Sequence, residues 1–405
     1  MDDSNLGLRE AIANQITSHP QKRITFAEYM NLALYHPEQG YYATNQVNIG
    51  PQGDFFTSPH LGADFGELLA RQFCQMWEVM SCPVPFILVE MGAGQGILAG
   101  DILGYLHKHH FQFFSALDYI IVEKSSALRL EQQQRLSNFP LRWCEWEEIP
   151  GNSLVGCCFS NELIDAFPVR QVIWEKGILK EVYVSLEKSG EFVEVVGETS
   201  TNRLVEYFDL LGIDFAENAY PEGYRTEVNL LALDWLSMIA KKIHRGYLLT
   251  IDYGYPAHRY YSLGRSQGTL QCYYRHSYHN DPYINIGRQD ITAHVDFTAL
   301  EKWGELCGLR RLGFTQQGLF LMALGLGDRI AAISDSNAAN FQDIQKVLQR
   351  RDALHQMINP IGLGGFGVLL QCRGLTEEEI AQPLQGFTVP KREFLGNRRG
   401  AEDAE

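Results

Sequence analysis

The chain has 405 residues, with 34 basic and 49 acidic side chains and a formal net charge of −15 at neutral pH. This length accommodates one large elaborated domain or two ordinary ones, and the negative charge disfavours nucleic acid and anionic lipid as partners. No segment approaches the roughly 20 consecutive apolar residues of a membrane-spanning helix, so we expect no membrane insertion.

The N-terminal region, residues 1–80, is predicted to be largely helical. Three stretches place apolar residues on one helical face: LREAIANQITSH, ITFAEYMNLALYH and FGELLARQFCQMWEVM. Before the third stretch lies GYYATNQVNIGPQGDFFTSPHLG, whose aromatic content indicates an ordered loop rather than a linker. The first residues, MDDSNLGLREAIANQ, lack the apolar core of a signal peptide and are not Arg-rich. Together with scattered cysteines that form no Cys-x-x-Cys pair, this predicts a cytoplasmic protein.

From residue 84 onward, apolar strands alternate with helices. The predicted strands are VPFILVEM, LDYIIVE, the shorter LRWCEW and SLVGCCFSNEL, and the helices between them are GILAGDILGYLHKHH and SSALRLEQQQRLSN. Near-continuous apolar strands that alternate with helices are typical of a parallel sheet covered on both faces. The predicted fold is therefore α/β, with a Rossmann-like sheet.

Insertions interrupt this alternation. The segment VRQVIWEKGILKEVYVSLEKSGEFVEVV alternates apolar and polar residues between turn signals, which predicts an antiparallel meander at about 168–197. After it come a helix in LLALDWLSMIAKKIHRG, a strand in GYLLTIDYG, a helix in FTALEKWGELCG and strands in LRRLGFTQ and FGVLLQCRG. We predict a core over residues 81–375, with insertions near 166–225, 255–296 and 327–358 and a mobile tail over 376–405.

The first strand of the core ends in LVEMGAGQG, a glycine turn preceded by a carboxylate. Gly92, Gly94 and Gly96 follow the pattern G-x-G-x-G, whereas a dinucleotide fingerprint would need a small residue where Ile97 stands. G-x-G-x-G is the spacing of the S-adenosylmethionine turn in Rossmann-like methyltransferases. That cofactor carries a sulfonium and an ammonium but no phosphate, so Glu90 at the strand end would attract it. The alternative is that the turn is only a tight connection between strand and helix.

A second carboxylate, Glu123, ends the next strand, IIVE. An acidic residue at this place usually binds the ribose of an adenosine ligand. Glu90, the three glycines and Glu123 together predict a binding site for S-adenosyl-L-methionine.

The candidate catalytic residues are Asn161, Glu162 and Asp165 in NELIDAFP, at the carboxyl end of the fourth strand. Enzymes that methylate adenine or glutamine amino groups commonly carry Asn-Pro-Pro-Tyr here, and this chain keeps only the Asn. Two carboxylates beside a sulfonium donor suit a guanidinium acceptor, which is cationic and presents a planar fork of donors. The alternative is that Asp165 caps the following segment and Glu162 is a solvated loop acid. Spacing alone does not decide between the two.

Other polar groups give weaker signals. Histidines occur in two groups, but neither shows a third ligand at a metal-binding spacing, so we predict no metal. Asp252, at the end of the fifth strand, fits a structural role better than a catalytic one. Loop tyrosines either shape a peptide groove or pack locally; they are Tyr41, Tyr42, Tyr273 and Tyr274.

These motifs resemble the MidA-like family of class I S-adenosylmethionine-dependent methyltransferases. The similar segments are GDFFTSP (53–59), VEMGAGQGILAGDIL (89–103), VEKSSALRLEQ (122–132), NELIDAFPV (161–169), LLTIDYG (248–254), GTLQCYYRH (268–276) and GRQDITAHVDF (287–297). GDFFTSP and NELIDAFP are far more specific than the glycine turn. The family includes a mitochondrial arginine methyltransferase that assists assembly of respiratory complex I.

The resemblance implies roles for individual residues. Asp54, Thr57 and Ser58 of GDFFTSP would close over the methionine end of the cofactor, while the three glycines and Glu123 would bind the rest of it. Glu162 and Asp165 would face the acceptor. Many members have Pro where Ala93 stands and a basic residue where Gln95 stands.

The implied activity is protein arginine N-methylation in the assembly of a respiratory NADH dehydrogenase-type complex. The implied partner is a protein substrate that presents an arginine, and the lack of a transit-like segment suggests a bacterial member. The alternatives are methylation of another acceptor, such as a small molecule or another side chain, and a non-catalytic assembly chaperone that retains the fold. The sequence does not indicate the oligomeric state.

Overall fold

A computed structural model describes residues 3–43, 57–275, 277–334 and 341–388 of the chain. Strands and helices alternate through most of this part. Its strands are β1 (Arg23–Thr25), β2 (Phe86–Met91), β3 (Leu117–Val122), β4 (Leu141–Trp143), β5 (Leu154–Asn161), β6 (Arg170–Glu175), β7 (Ile178–Leu186), β8 (Phe192–Gly197), β9 (Tyr224–Val228), β10 (Ile243–Asp252), β11 (Gly254–Tyr255), β12 (Gln271–Tyr274), β13 (Ser277–His279), β14 (Asp290–Thr292), β15 (Val295–Asp296), β16 (Arg310–Gln316) and β17 (Gly367–Arg373).

The helices of the same part vary from four to eighteen residues in length. They are α1 (Leu6–Ser18), α2 (Phe26–Tyr35), α3 (Asp64–Val79), α4 (Ile97–His109), α5 (Phe111–Ala116), α6 (Ser126–Arg135), α7 (Arg203–Leu211), α8 (Leu230–Lys242), α9 (Ala257–Tyr260), α10 (Phe297–Leu306), α11 (Gln317–Ala323), α12 (Leu326–Ser334), α13 (Phe341–Ile358) and α14 (Glu377–Ala381). None of these helices is long and apolar enough to cross a bilayer.

A seven-stranded sheet forms the centre of the structure, in the order β16-β17-β10-β5-β2-β3-β4. The strands from β10 to β4 are parallel to their neighbours, and β17 is antiparallel to both β10 and β16. The chain turns back between β2 and β5, because β3 and β4 lie on one side of β2 and the later strands on the other. At such a point a crevice opens beyond the carboxyl ends of the strands, where open α/β sheets bind ligands.

Both faces of this sheet are covered, as predicted. Phe86 and Leu88 of β2 belong to a buried cluster with residues of α3, α4, α11 and α13. Val89 and Met91, which point to the other face, pack in a cluster with residues of α8 and α10. Burial on both faces explains why these strands are apolar throughout.

Helices α1 and α2 pack on a second, antiparallel sheet, whereas α3 packs on the central one. The predicted meander is present as β6, β7 and β8, and it is extended by β9 and β1, which the sequence analysis missed. Helix α2 begins at Phe26, not at Ile24, because Thr25 forms a capping box with Glu28. Residues of α1 and α2 share a buried cluster with Val184 of β7.

Part of the predicted mobile tail is ordered. Thr376 caps α14 through a capping box with Glu379. The Phe387 ring lies 5.3 Å from the ring of Phe320 in α11, and the Gly386 amide donates to Oε1 of Gln72 at 2.9 Å. The prediction of mobility is therefore wrong for residues 376–388, which pack on α3 and α11. Residues 389–405 lie outside the described part of the chain.

Gly156 of β5 is required by the close approach of its neighbouring strand. Its φ is +150°, and a Cβ there would lie 2.0 Å from the carbonyl oxygen of Ile87 in β2. A backbone atom inside a ladder cannot move aside as a flexible side chain can. We therefore predict that Gly156→Ala lowers the free energy of unfolding by about 3 kcal/mol, measured by urea denaturation of the ligand-free protein.

The matched control is Gly104→Ala in α4. The nearest atom to a Cβ at this position is Cζ of Phe139, at 4.0 Å, and Ala is favoured over Gly within a helix by about 0.5–1 kcal/mol. We expect the control to be as stable as the wild type or slightly more so. Equal stability of the two variants would contradict the close approach at Gly156.

Candidate active site

A cavity of about 640 Å³ opens beyond the carboxyl ends of β2, β3 and β5, where the chain turns back within the sheet. Its volume lies within the range of small-molecule and cofactor sites. Its walls come from the glycine turn, the segments after β3, β4 and β5, and the end of α2. Six of the sequence-predicted site residues line it: Thr57, Gly92, Gly94, Glu123, Asn161 and Glu162.

The glycine turn takes the left-handed backbone conformation at all three glycines, with φ of +68°, +52° and +75° for Gly92, Gly94 and Gly96. This conformation is costly for residues with a Cβ. A Cβ at Gly92 would also lie 2.7 Å from Cδ1 of Leu163. Gly96 is the N-cap of α4 and faces Leu136 rather than the cavity. Two of the three glycines therefore bring bare backbone to the cavity, and the third allows close helix packing.

Glu90 does not line the cavity, contrary to the expectation of a direct contact with the cofactor. Its side chain is buried, and the Tyr119 hydroxyl donates to its Oε2 at 2.6 Å. Burial raises the pKa of Glu90 to about 7, and the nearby Glu123 carboxylate adds to the shift. Glu90 thus lies beneath the end of β2, bonded to β3.

Glu123 lines the cavity in the position expected of a ribose ligand. Its Oε1 accepts the Ser125 amide at 2.9 Å, and its Oε2 accepts Nε2 of Gln132 at 3.0 Å. Burial raises the pKa of Glu123, while these hydrogen bonds lower it. The two bonds fix the carboxylate while leaving acceptor capacity for hydroxyl donors, since each oxygen has two lone pairs.

Gln132 of α6 is a residue that sequence reasoning missed. It is fully buried, and its Nε2 also donates to the Gly94 carbonyl at 2.7 Å. Its Oε1 accepts from Nε1 of Trp143 in β4 at 2.9 Å. One amide therefore connects the glycine turn, Glu123 and the neighbouring strand. The only sequence signal is its place in a helix, since nothing marks it among the adjacent glutamines.

The candidate catalytic residues Asn161 and Glu162 lie together at the end of β5. Oε1 of Glu162 accepts Nδ2 of Asn161 at 3.1 Å and the Ser58 amide at 3.4 Å. Burial raises the pKa of Glu162 to about 8, with the Asp165 charge as the next cause. The Glu162 backbone is left-handed, with φ of +53°, a strained state that surrounding contacts must hold.

Asp165 is buried behind Glu162 and does not line the cavity. Burial raises its pKa to about 6, against hydrogen bonding from the side chain of Tyr253. Within the described residues, its Oδ1 is a buried atom with no hydrogen-bond partner, and so is Oδ1 of Asn161. Two oxygen atoms that receive no hydrogen bond, Oδ1 of Asn161 and Oδ1 of Asp165, therefore lie on either side of Glu162 in the sequence.

Asp252 holds the turn that carries these residues. Its Oδ2 accepts the amides of Leu163, Ile164 and Asp165 at 3.2, 2.9 and 3.4 Å, and its Oδ1 accepts the Tyr253 amide at 2.9 Å. Burial, followed by the charge of Asp165, raises its pKa well above the usual range. Asp252 therefore has a structural role, as predicted. It holds the turn after β5, residues 162–165, which we call the acceptor turn because it carries the two carboxylates predicted to face the acceptor.

The residues of the GDFFTSP motif (53–59) differ in whether they line the cavity. Asp54 lies outside the described residues. Thr57 lines the cavity, and its hydroxyl hydrogen-bonds Nδ1 of His60 at 2.6 Å, while Nε2 of His60 contacts Oε1 of Gln95 at 3.2 Å. Ser58 is fully buried and away from the cavity, and its Oγ accepts Nε2 of Gln317 at 2.9 Å. Gln95 thus joins the glycine turn to this motif.

Tyr35, at the end of α2, and Tyr42 form an aromatic wall of the cavity. The rings of Tyr35 and Tyr42 stack at 5.3 Å and 17°. The Tyr35 hydroxyl donates to the Ala166 carbonyl at 2.9 Å, and that of Tyr42 donates to Oδ1 of Asp290 at 3.0 Å. Of the four loop tyrosines considered from the sequence, Tyr42 is the one that lines this cavity.

A search of the described residues finds no group of three or more His, Cys, Asp or Glu side chains that could hold a metal ion. His276, in the segment GTLQCYYRH, lies outside those residues.

Comparisons with known proteins agree with this geometry. Residues 68–315 match the family model Methyltransf_28, which describes S-adenosyl-L-methionine-dependent methyltransferases. The Drosophila melanogaster protein arginine methyltransferase NDUFAF7 homolog is 30% identical over 74% of this chain and 71% of its own length. The human protein arginine methyltransferase NDUFAF7 is 27% identical over 84% and 78%.

Solved structures are also similar. A COG1565 superfamily member from Burkholderia thailandensis, bound to S-adenosyl-homocysteine, is 31% identical with a TM-score of 0.82 over 94% of both chains. A native structure from the same organism gives 32% and 0.78. These matches confirm the predicted family resemblance and fold class. The residues at the cavity fit the cofactor that these relatives imply, because the left-handed glycine turn brings the bare backbone of Gly92 and Gly94 to the cavity and Glu123 offers acceptors to a ribose.

The predicted cytoplasmic location is wrong by the same comparisons. The insect, mouse and human relatives are all named as mitochondrial proteins.

Gln132 provides a test of the cofactor site. Gln132→Leu removes the donor to Gly94 and Glu123 and leaves the partly buried Trp143 indole without an acceptor, at up to about 1–3 kcal/mol for each unsatisfied group. We expect the affinity for S-adenosylhomocysteine to fall about 10-fold or more, since about 1.4 kcal/mol is tenfold in Kd. Isothermal titration measures this change. Gln133→Leu, on the exposed face of α6, should bind like the wild type, and equal affinity of both variants would refute the role of Gln132.

Proposed function

The chain belongs to the Methyltransf_28 family of S-adenosyl-L-methionine-dependent methyltransferases, and we propose that it methylates an arginine side chain of a protein. When bound, S-adenosyl-L-methionine supplies an electrophilic methyl group on a sulfonium. In this proposal, Asn161, Glu162 and Asp165 bind the acceptor. It is supported by the names of the relatives and by one observation: Asn161 and Asp165 have buried oxygens without donors next to a buried carboxylate.

A guanidinium matches this arrangement. It is always protonated and presents five N–H donors in a plane. Glu162, with unpartnered oxygens of Asn161 and Asp165 nearby, offers both negative charge and free acceptor capacity. Hydrogen bonds to these oxygens, which together form the acceptor grip, would fix one terminal nitrogen of the guanidinium relative to the methyl group. Positioning of this kind accounts for a large part of the rate in methyl transfer.

Methyl transfer to an arginine nitrogen requires a group that accepts the proton which the nitrogen loses. A new N–C bond forms as the S–C bond breaks, so the sulfonium becomes a neutral thioether and the arginine nitrogen must lose a proton. Glu162 is the carboxylate that lines the cavity, and we assign it as the group that takes this proton. Its raised pKa suits proton acceptance near neutral pH.

The alternative roles for the acid pair receive less support. The amides of Leu163, Ile164 and Asp165 donate to Asp252, so this turn has a cap other than Asp165. Glu162 is only partly exposed, and its Oε1 accepts hydrogen bonds from Asn161 and Ser58, which a solvated loop acid would not make. We therefore favour the acceptor grip over the capping interpretation, and an enzyme over a non-catalytic chaperone.

We further propose that the substrate is a subunit of a respiratory NADH dehydrogenase-type complex, as the family resemblance implies. Mass spectrometry of arginine peptides from respiratory complexes, with and without this chain, would identify the modified site. Methylation of a different acceptor would leave those peptides unchanged.

Glu162→Gln tests the acceptor grip. The substitution keeps the shape of the side chain but removes its charge and its ability to take a proton, so we expect methyl transfer to fall by about 10²–10⁴-fold. Affinity for S-adenosylhomocysteine should stay within about twofold, because the loss concerns the acceptor. Methylation is followed by mass spectrometry on protein extract from cells that lack the chain.

Glu187→Gln is the control, since Glu187 is exposed at the β7–β8 turn. It should methylate at the wild-type rate. Normal methylation by Glu162→Gln would exclude the proposed grip, and loss of cofactor binding in that variant would place Glu162 on the donor side instead.

The pKa shifts predict a pH dependence. Burial raises the pKa values of Asp165 and Glu162 to about 6 and about 8, so both groups are protonated below these values and gain charge as pH rises. The acceptor arginine stays cationic throughout. We expect kcat/KM for the acceptor to rise from pH 6 to pH 8.5 and then level off. A flat profile, or one that falls over this range, would contradict ionised carboxylates as the binding groups.

A further inference from the structure

Two arginines stack on Tyr255 beside the acceptor turn. Cζ of Arg265 lies 4.0 Å and Cζ of Arg259 lies 4.4 Å from the centre of the Tyr255 ring. Stacking engages the face of a guanidinium but leaves the N–H donors in its plane free. We call Arg259, Arg265 and Tyr255 the cationic cluster.

The cationic cluster differs from the ion pairs elsewhere in the protein. Arg225 pairs with Glu194 and Arg203 with Asp234, each at 2.6 Å. Within the described parts of the chain, no carboxylate lies within ion-pair distance of Arg259 or Arg265. Acidic side chains outnumber basic ones by 49 to 34, so a pair of arginines without acidic partners is a distinct local feature. Arg259 is exposed and Arg265 is partly so.

The cationic cluster is connected to the acceptor turn through two ring contacts. The Tyr255 ring lies 5.1 Å from the His294 ring, which lies 5.3 Å from the Tyr253 ring. The Tyr253 side chain hydrogen-bonds Asp165. Burial lowers the pKa of His294 to about 4, and the charges of Arg265 and Arg259 add to the shift, so the positive charge at this place lies on the two arginines. The two ring-to-ring steps of 5.1 and 5.3 Å, with the arginines beyond one end and Asp165 beyond the other, correspond to about three to five residues of extended chain at about 3.3 Å per residue.

The two charged regions have opposite signs. Glu162 and Asp165 suit a cationic acceptor, while the cationic cluster suits an anion on the same substrate chain. Carboxylates match the planar fork of arginine and bind it bidentately. On a protein of net charge −15, an acidic substrate segment would otherwise be repelled, so a local positive site has a clear use.

We propose that Arg259 and Arg265 bind an Asp or Glu side chain that lies about three to five residues from the acceptor arginine in the protein substrate. This inference rests on the proposed arginine acceptor. It names a sequence preference for the substrate: an arginine with an acidic neighbour at short range is selected over an arginine in a neutral or basic context.

The test uses fluorescein-labelled peptides and the full chain saturated with S-adenosylhomocysteine. Each 13-residue peptide of Ala, Gly and Ser carries one central arginine and a single Glu at one of the flanking positions, with Gln at that position in its partner peptide. Fluorescence anisotropy gives Kd. We expect one or two positions, three to five residues from the arginine, at which Glu binds about 5- to 10-fold more tightly than Gln.

The double substitution Arg259→Gln and Arg265→Gln should remove this preference, so that the Glu and Gln peptides bind equally. Arg310→Gln with Arg351→Gln is the matched control, because both arginines are exposed and the net charge changes equally. The control should retain the preference. Unchanged affinity for S-adenosylhomocysteine in all variants shows that the fold is intact.

The outcomes separate this inference from the proposed function. If binding depends on the central arginine and on Glu162 but not on the flanking Glu, the cationic cluster is not a docking site and the arginine acceptor stands. If replacing the central arginine by Gln changes nothing, the proposed acceptor fails. A preference that survives the double substitution, or the absence of any position at which Glu binds more tightly than Gln, would overturn the inference.

Discussion

The carboxylate of Asp252 is the contact on which the acceptor side of this methyltransferase depends. It receives three consecutive amides of the turn after β5 from its place at the end of β10, the parallel neighbour of β5. The Glu162 amide also donates to Ile251 of β10 at 2.9 Å. The turn is therefore attached to the edge of a rigid sheet. Attachment of this kind can hold Glu162 in a left-handed conformation that it would not adopt alone.

The same attachment crowds three carboxylates into a poorly solvated region. Burial raises the pKa of Glu162, Asp165 and Asp252, and the charge of Asp165 raises the other two further. Without an acceptor this arrangement is unfavourable, because like charges repel strongly where water is scarce. A bound guanidinium would relieve the repulsion and supply the missing donors. A neutral amide or hydroxyl acceptor would supply no charge, and a lysine would supply charge without a planar fork.

The donor side was largely predictable from sequence, because its parts follow one another closely in the chain. A buried strand, the G-x-G-x-G turn and the acid after the next strand are local patterns, and Gly92, Gly94 and Glu123 do line the cavity. The prediction for Glu90 was less successful for a physical reason. In a strand that is apolar on both faces, the pattern does not show which way a side chain points, and Glu90 points to Tyr119. Gln132 and the role of Asp252 depend on contacts between distant segments, which no local pattern records.

The acceptor side is built differently, from segments far apart in the chain. Ser58 donates its amide to Glu162 and is itself held by Gln317, 259 residues away in the sequence. Tyr35 of α2 donates to the carbonyl of Ala166, next to the acceptor turn. Three of these contacting residues, Tyr35, Ser58 and Gln317, lie outside the segment 68–315 that matches the family model.

The donor side and the proposed acceptor side therefore differ in which parts of the chain form them. Residues within one continuous stretch, from β2 to α6, suffice to form the glycine turn, Glu123 and the amide of Gln132 that joins them. The orientation of Glu162, in contrast, requires the N-terminal region, the turn after β5, the end of β10 and the start of α11 at once. If Glu162 binds the acceptor as proposed, a change in any of these segments would alter acceptor binding and leave the donor site intact. On that proposal, the elements added around the sheet determine acceptor specificity, and the sheet with its glycine turn binds the methyl donor.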